Sequence, residues 1–219
     1  MGRSFSTDGI RGVVNISLDC AMVFRAGQAA ATLLRQDGKK PRVAVGMDPR
    51  VSSAMLENAL TAGLCSCGAD VLKLGVLPTP GAAYLTKALE ADAGVMITAS
   101  HEPYLYNGLR FFSDKGFAWP REQDEALEAL LGSGKEFRPV TQGQIGSVTD
   151  AGDEVDVYLR HLASTVGSLG GLRIAVDCAN GAASQAAHGL LERYALDISW
   201  LSDVPDGTNI NENCGCTNL

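Results

Sequence analysis

The chain has 219 residues, 46% of them hydrophobic, enough for one sizeable core and the opening of a second. Its 18 basic against 25 acidic residues leave a formal charge of −7, which argues against a general nucleic-acid surface while leaving room for a small basic pocket. No secretory leader pattern and no apolar span of about 18 residues is present, so no membrane is expected and the expected location is cytoplasmic.

In chain order, LDCAMVFRAGQAAATLLRQ (18–36) carries apolar residues at three- and four-residue intervals and predicts a helix. RVAVGM (42–47) predicts a short buried strand, VSSAMLENALTAGLCSCG (51–68) a helix with a glycine stop, and ADVLKLG (69–75) a strand. LPTP reads as a rigid turn into a helix near 81–90. GVMIT (94–98) and LRFF (109–112) read as strands, followed by a helix around 122–131. The glycine- and polar-rich stretch from about 132 to 152 reads as a linker or surface excursion, and a helix around 154–166 follows. LRIAVDCANGAAS (172–184) repeats the strand–loop–helix pattern, ALDISWL (195–201) reads as a strand, and PDGTNINENCGCTNL ends the chain with no final packed element. Alternating strands and helices predict an α/β fold, a mixed, mostly parallel sheet sandwiched by helices. The division predicted is 1–140 for a first domain, 141–165 for a linker and connecting helix, and 166–219 for an incomplete second domain.

Six cysteines stand at 20, 65, 67, 178, 214 and 216. The C-x-C pairs are spaced more tightly than usual thiolate metal sites and lack a compact histidine set, so free thiols are expected. His161 and His188 fall in helical stretches and read as packing or surface residues.

The chemical candidates gather around TASHEPYLYNG (98–108). Ser100 follows an apolar strand, where parallel sheets place ligand groups. Serine needs an activating base to act as a nucleophile, and His101 is adjacent in sequence only. No G-x-S-x-G elbow supports a hydrolase. The alternative is that Ser100 carries a phosphoryl group, whose charge of about −1.5 to −2 requires cationic company. Arg11 in FSTDGIRG (5–12), Arg50 in GMDPR (46–50) and Arg110 after Asn107-Gly108 stand in suitable loops. A guanidinium can clamp phosphate through two hydrogen bonds, and the glycines beside Arg11 would let backbone approach a ligand. Thr7, Asp8, Arg50 and Asn107 form the candidate phosphate- and substrate-binding set.

TDGIRG (7–12), TASHEPYLYNGLR (98–110), the intervening VGMDPRVSSAMLENALTAGLCSCGADVLKLGVLPTPGAAYLT, DCANGAA (177–183) and PDGTNINENCGCT (205–217) together resemble the α-D-phosphohexomutase family, over nearly the whole chain. The resemblance implies four domains in a full family member, of which this chain holds domain I and the start of domain II. It implies that Ser100 is a phosphoserine that passes its phosphoryl group to a sugar hydroxyl, forming a bisphosphate that reorients and returns the other group. It further implies Mg²⁺ bound through the Ser100 phosphate, glucose or glucosamine 1,6-bisphosphate as primer, Arg11 positioning the phosphoserine and His101 supporting the loop. The bacterial role implied is conversion of glucosamine 6-phosphate to glucosamine 1-phosphate. Glucose- or mannose-phosphate mutase activity, or a non-catalytic fragment that works with a partner, are the alternatives.

Four positions depart from the family pattern: Ser6 for glycine, Glu102 for asparagine, Tyr106 for an acidic residue and Arg110 for a lysine. Glu102 adds negative charge beside the proposed phosphoserine and calls for an offsetting cation. Arg110 can bind phosphate but, with a pKa above about 12, is a poor proton carrier. DGDGDR-, GE-x-SGH- and RPSGTE-like segments do not occur. The expectation is therefore a truncated chain, with a partner chain or further carboxyl-terminal domains supplying the metal and sugar loops.

Overall fold

A computed structural model describes residues 5–6, 9–35, 39–134 and 136–218, so Thr7 and Asp8 lie outside the described residues. The chain opens with strands β1 (Phe5–Ser6) and β2 (Gly9–Val13), then helix α1 (Cys20–Leu34), whose first turn is capped by the Asp19 carboxylate accepting from Met22 N at 2.7 Å. Strand β3 (Arg42–Met47), helix α2 (Ser53–Ser66), strand β4 (Asp70–Val76), helix α3 (Thr79–Ala88) and strand β5 (Ala93–Ile97) follow in strict alternation. Strand β6 (Tyr106–Ser113), helix α4 (Arg121–Gly132), strand β7 (Val148–Asp150) and helix α5 (Val155–Ser164) complete the first body. Strand β8 (Arg173–Asp177), helix α6 (Ala183–Leu191) and strand β9 (Asp197–Leu201) form a second, two-stranded parallel unit.

The large sheet runs β1-β2-β6-β5-β3-β4-β7. The pairs β5–β3, β3–β4 and β4–β7 are parallel, whereas β1–β2, β2–β6 and β6–β5 are antiparallel. Five strands therefore share one direction, with β1 and β6 opposed. Because helices cover both faces, the central strands need apolar residues at every position, and all five residues of β5 are buried. Alternation still decides which layer each side chain enters. Val43 and Val45 of β3 pack with Leu56, Leu60 and Leu64 of α2, while Ala44 between them faces Leu85 of α3 and Tyr158 of α5.

Four expectations change. GIRG (9–12) is strand rather than loop: Gly9, Ile10, Arg11 and Gly12 lie in β2, paired to β6, with Arg11 opposite Gly108. A Cβ at Gly9 would collide with the Leu109 carbonyl, and one at Gly12 would lie 2.5 Å from Ser17 Oγ. These glycines admit neighbouring protein. The stretch from 132 to 152 is more than an excursion, since β7 within it extends the sheet beside β4. Helix α3 starts at Thr79, so Pro80 occupies its first turn, where a missing N–H costs nothing. Lastly, residues 205–217 are packed: Ile210 and Cys214 are buried, Val51 N donates to Gly207 O at 2.9 Å, and Gly215 N donates to Asp177 Oδ2 at 2.8 Å.

His161 stacks on Tyr84 at 4.4 Å between centroids, and His188 on Trp200 at 3.8 Å. His188 also meets Asp203 at 2.8 Å and Glu192 at 3.4 Å, and the hydrogen bond to Asp203 foremost raises its pKa above 6.5. A raised folded value means that the interaction stabilises fully below the unfolded pKa and is lost as pH rises through the folded one. Thermal melts between about pH 5.5 and 8.5, bracketing the free value near 6.5, should show the second unit weakening on the alkaline side. His188→Gln should remove that dependence.

Candidate functional site

The strand β5 ends at Ile97, and the chain then turns out of the sheet through Thr98, Ala99 and Ser100 before re-entering as β6. Ser100 is exposed and adopts a left-handed backbone, φ +55°, which costs an L-residue roughly 1–2 kcal/mol. Such a conformation persists only where its surroundings over-determine it. Ser100 N donates to Thr98 Oγ1 at 3.0 Å, and Thr98 Oγ1 donates to Asp48 Oδ2 at 2.7 Å.

The principal support is Arg50. Its side chain is fully buried and all five guanidinium N–H groups are engaged. Nε donates to Asp48 Oδ2 at 2.9 Å. Nη1 donates to the carbonyls of Pro103 and Tyr106, and Nη2 to those of Ser100 at 3.0 Å and Glu102 at 2.8 Å. The reading of Arg50 as a phosphate-binding residue is thus corrected: no donor is left for a ligand, and the guanidinium grips the serine loop from beneath. The neighbouring Asp48 carboxylate also accepts from Ser53 Oγ at 2.9 Å, so the buried charges are both paired and hydrogen-bonded.

Asn107 is corrected on the same grounds. It is wholly buried; its amide donates to Ser52 Oγ at 2.9 Å and Ser53 Oγ at 3.0 Å, and its oxygen accepts from Gly108 N at 2.8 Å. With both amide hydrogens spent on Ser52 and Ser53 and its oxygen on Gly108 N, it ties β6 to the start of α2.

Arg11 and Glu102 are brought together, Nη1 to Oε1 at 3.8 Å, with both side chains partly open to solvent. The negative charge that the sequence places beside Ser100 is therefore matched by an arginine. Arg110 lies on β6 opposite Met96, partly exposed, with no ion pair among the described residues. His101 is exposed and makes no hydrogen bond among the described residues, so it gives the loop no support there.

One residue escaped the reading of the sequence. Asn211 Nδ2 donates to Ser100 O and to Glu102 O, each at 3.0 Å. It stands 111 positions after Ser100 in the terminal segment. The local signal was the density of Asn, Asp and Gly in PDGTNINENCG, the chemistry of left-handed turns. Asn211 itself has φ +60°.

Among the described residues no group of three or more histidine, cysteine, aspartate and glutamate side chains could hold a metal ion. All six cysteines are free thiols. Magnesium demands nearly octahedral oxygen ligation, and the exposed Ser100 loop offers no such set, so the described residues do not by themselves fit a magnesium site. Among them, no helix is long and apolar enough to cross a membrane.

The whole is a helix-covered mixed sheet that presents an outward, left-handed serine on a clamped loop at a strand end. A model described as "Phosphoglucomutase/phosphomannomutase, alpha/beta/alpha domain I" matches residues 2–138, and the chain belongs to that family. Phosphoglucosamine mutase of Moorella thermoacetica is 45% identical over 219 residues, covering 99% of this chain and 49% of the relative. That of Ruminiclostridium cellulolyticum is 44% identical over 222 residues, covering 100% and 49%. Among solved structures, a phosphoglucomutase/phosphomannomutase family protein of Burkholderia thailandensis superposes with a TM-score of 0.78 at 26% identity, over 92% of this chain and 44% of that one. The chain thus spans about half the length of the curated relatives it matches.

Proposed function

We propose that this chain is the phosphoryl-carrying amino-terminal portion of a phosphoglucosamine mutase, with Ser100 as the carrier. The observation that supports it best is the left-handed Ser100, exposed to solvent while its own carbonyl and that of Glu102 are held from within. In the loading step a hexose 1,6-bisphosphate gives one phosphoryl group to Ser100 Oγ. The new Oγ–P bond forms as the P–O bond to the sugar breaks, the sugar oxygen leaves with the bond pair and takes up a proton, and the serine proton passes to water. In turnover the phosphoserine gives its phosphoryl group to O1 of glucosamine 6-phosphate, forming glucosamine 1,6-bisphosphate as the Oγ–P bond breaks, and Ser100 Oγ then takes the group from O6, leaving glucosamine 1-phosphate. Arg11 flanks the loop and Arg110 adds positive charge on β6, as phosphoryl transfer requires.

Magnesium and a glucose or glucosamine 1,6-bisphosphate primer belong to this reading, as do a cytoplasmic location and the absence of nucleic-acid or membrane partners. It also assigns residues 1–140 to the first mutase domain, 141–165 to a connection and 166–219 to the opening of the second. Further domains, or a partner chain, would supply the metal and sugar loops.

Purified chain incubated with glucosamine 1,6-bisphosphate and Mg²⁺ should gain one phosphate by intact mass, mapped to Ser100. Ser100→Ala should gain none. Equal phosphate uptake by Ser100→Ala, or a wild-type label on another residue, would sink the reading. Parallel incubations with glucose and mannose 1,6-bisphosphates read out the sugar preference.

A further inference from the structure

The two carbonyls that face inward from the serine loop are each held twice. Ser100 O and Glu102 O both accept from Arg50 Nη2, at 3.0 and 2.8 Å, and both accept again from Asn211 Nδ2, at 3.0 Å each. Two nitrogens with two hydrogens each meet two oxygens with two lone pairs each, and the square closes with every position used. Arg50 comes from the buried floor of the first body, Asn211 from the segment that follows β9.

Asn211 is itself anchored. Its N–H donates to Ala179 O at 2.9 Å. The Asp177 carboxylate at the end of β8 accepts from Ala179 N and from Gly215 N, each at 2.8 Å, bracketing the segment from both sides. Those two backbone hydrogen bonds, Gly215 first, hold the Asp177 pKa below its ordinary value. The amide of Asn211 thereby reaches the loop from the β8–β9 unit rather than from a free tail. Asparagine suits the place because it tolerates φ +60° while presenting a two-hydrogen donor.

We infer that Asn211 is a positioning residue for the phosphoryl carrier, a latch by which the second unit fixes the backbone of Ser100 in its left-handed conformation. The inference rests on Ser100 being the carrier, but the latch has a consequence that needs no chemistry. Arg50 alone fixes one side of each carbonyl; without Asn211 the turn from Ser100 to Glu102 opens more often. Its amides are protected at rest, Ser100 N by Thr98 Oγ1 and Glu102 N by Ala99 O, and exchange with solvent only on opening.

The test compares hydrogen exchange of the 98–106 region in the wild-type chain, Asn211→Gly, Asn211→Asp and the control Asn213→Gly. Glycine keeps the left-handed backbone and removes the donor. Aspartate keeps the shape but turns an oxygen toward two carbonyl oxygens. Asn213 is exposed, also left-handed at φ +52°, and has no hydrogen bond to the loop, so its change to glycine should do nothing. Loss of two hydrogen bonds should speed loop exchange about tenfold in Asn211→Gly, more in Asn211→Asp, with β3 and β5 unchanged. Phosphorylation of Ser100 by glucosamine 1,6-bisphosphate should slow with no change in the concentration that gives half-maximal rate, the signature of misplacement rather than lost binding. Loop exchange in Asn211→Gly equal to wild type overturns the latch. So does acceleration spread evenly over the β8–β9 unit and matched by Asn213→Gly. The exchange result decides the latch whatever the phosphate label shows, so the latch and the carrier reading stand or fall separately.

Discussion

Replacing Arg50 with methionine should destabilise the chain by about 3–5 kcal/mol, the usual result of removing one member of a buried ion pair. The methionine fills much of the volume but supplies no donor. Asp48 would be left buried at 3% side-chain exposure, with Ser53, Thr98 and one backbone N–H as partners but no counter-charge. Four loop carbonyls, those of residues 100, 102, 103 and 106, would lose a partner together. At about 2–4 °C per kcal/mol for a chain of this size, the melting temperature should fall by roughly 10 °C. Urea unfolding should show a lower midpoint at unchanged slope. Arg50→Lys keeps the charge but carries three donors on a flexible stem, so it should recover only part of the loss. A midpoint for Arg50→Met within about 1 kcal/mol of wild type, smaller than any buried-pair loss, would mean that the loop does not depend on this guanidinium.

The same residue marks where the sequence stops being informative. An arginine just after a buried strand, in Asp-Pro-Arg, was equally compatible with gripping a phosphate or a carbonyl-lined turn, because a guanidinium meets oxygen acceptors with the same geometry either way. What decides is which oxygens lie nearby, and four of those sit fifty or more positions on. Asp48, two residues back, was the local hint that the charge had a protein partner. The parallel strands β3, β4 and β5 were legible because burial on both faces writes continuous apolar runs. Strand β7 was not, since all three of its residues are exposed and only pairing with β4 makes Val148–Asp150 a strand. Ser100 itself was legible as a chemical group, its left-handed backbone and its second support from Asn211 were not, and nothing local to residue 211 points toward residue 100.

Gly108 carries the other large effect, and it shows what the glycine in the Asn-Gly pair is for. A Cβ there would sit 2.5 Å from Ile10 O and 2.9 Å from Thr98 O, closer than side-chain carbon approaches backbone oxygen. Neither oxygen can swing away, because each belongs to a strand or strand end paired with β6: β2 on one side, and on the other Thr98, whose own N–H donates to Gly108 O at 3.0 Å. Gly108→Ala must therefore spread β2 from β6 or push Thr98 off its place, and Thr98 is the acceptor for Ser100 N. Overpacking of this kind typically costs 1–3 kcal/mol, occasionally more, and we expect the upper part of that range from urea midpoints, with Ser100 phosphorylation reduced alongside. Gly132→Ala is the matched control: it ends α4 with open space where the methyl would go, so alanine there should be neutral or slightly stabilising. If Gly108→Ala unfolds at the same urea concentration as Gly132→Ala, the close approach of the three strands beneath the serine loop is not a constraint on this sequence.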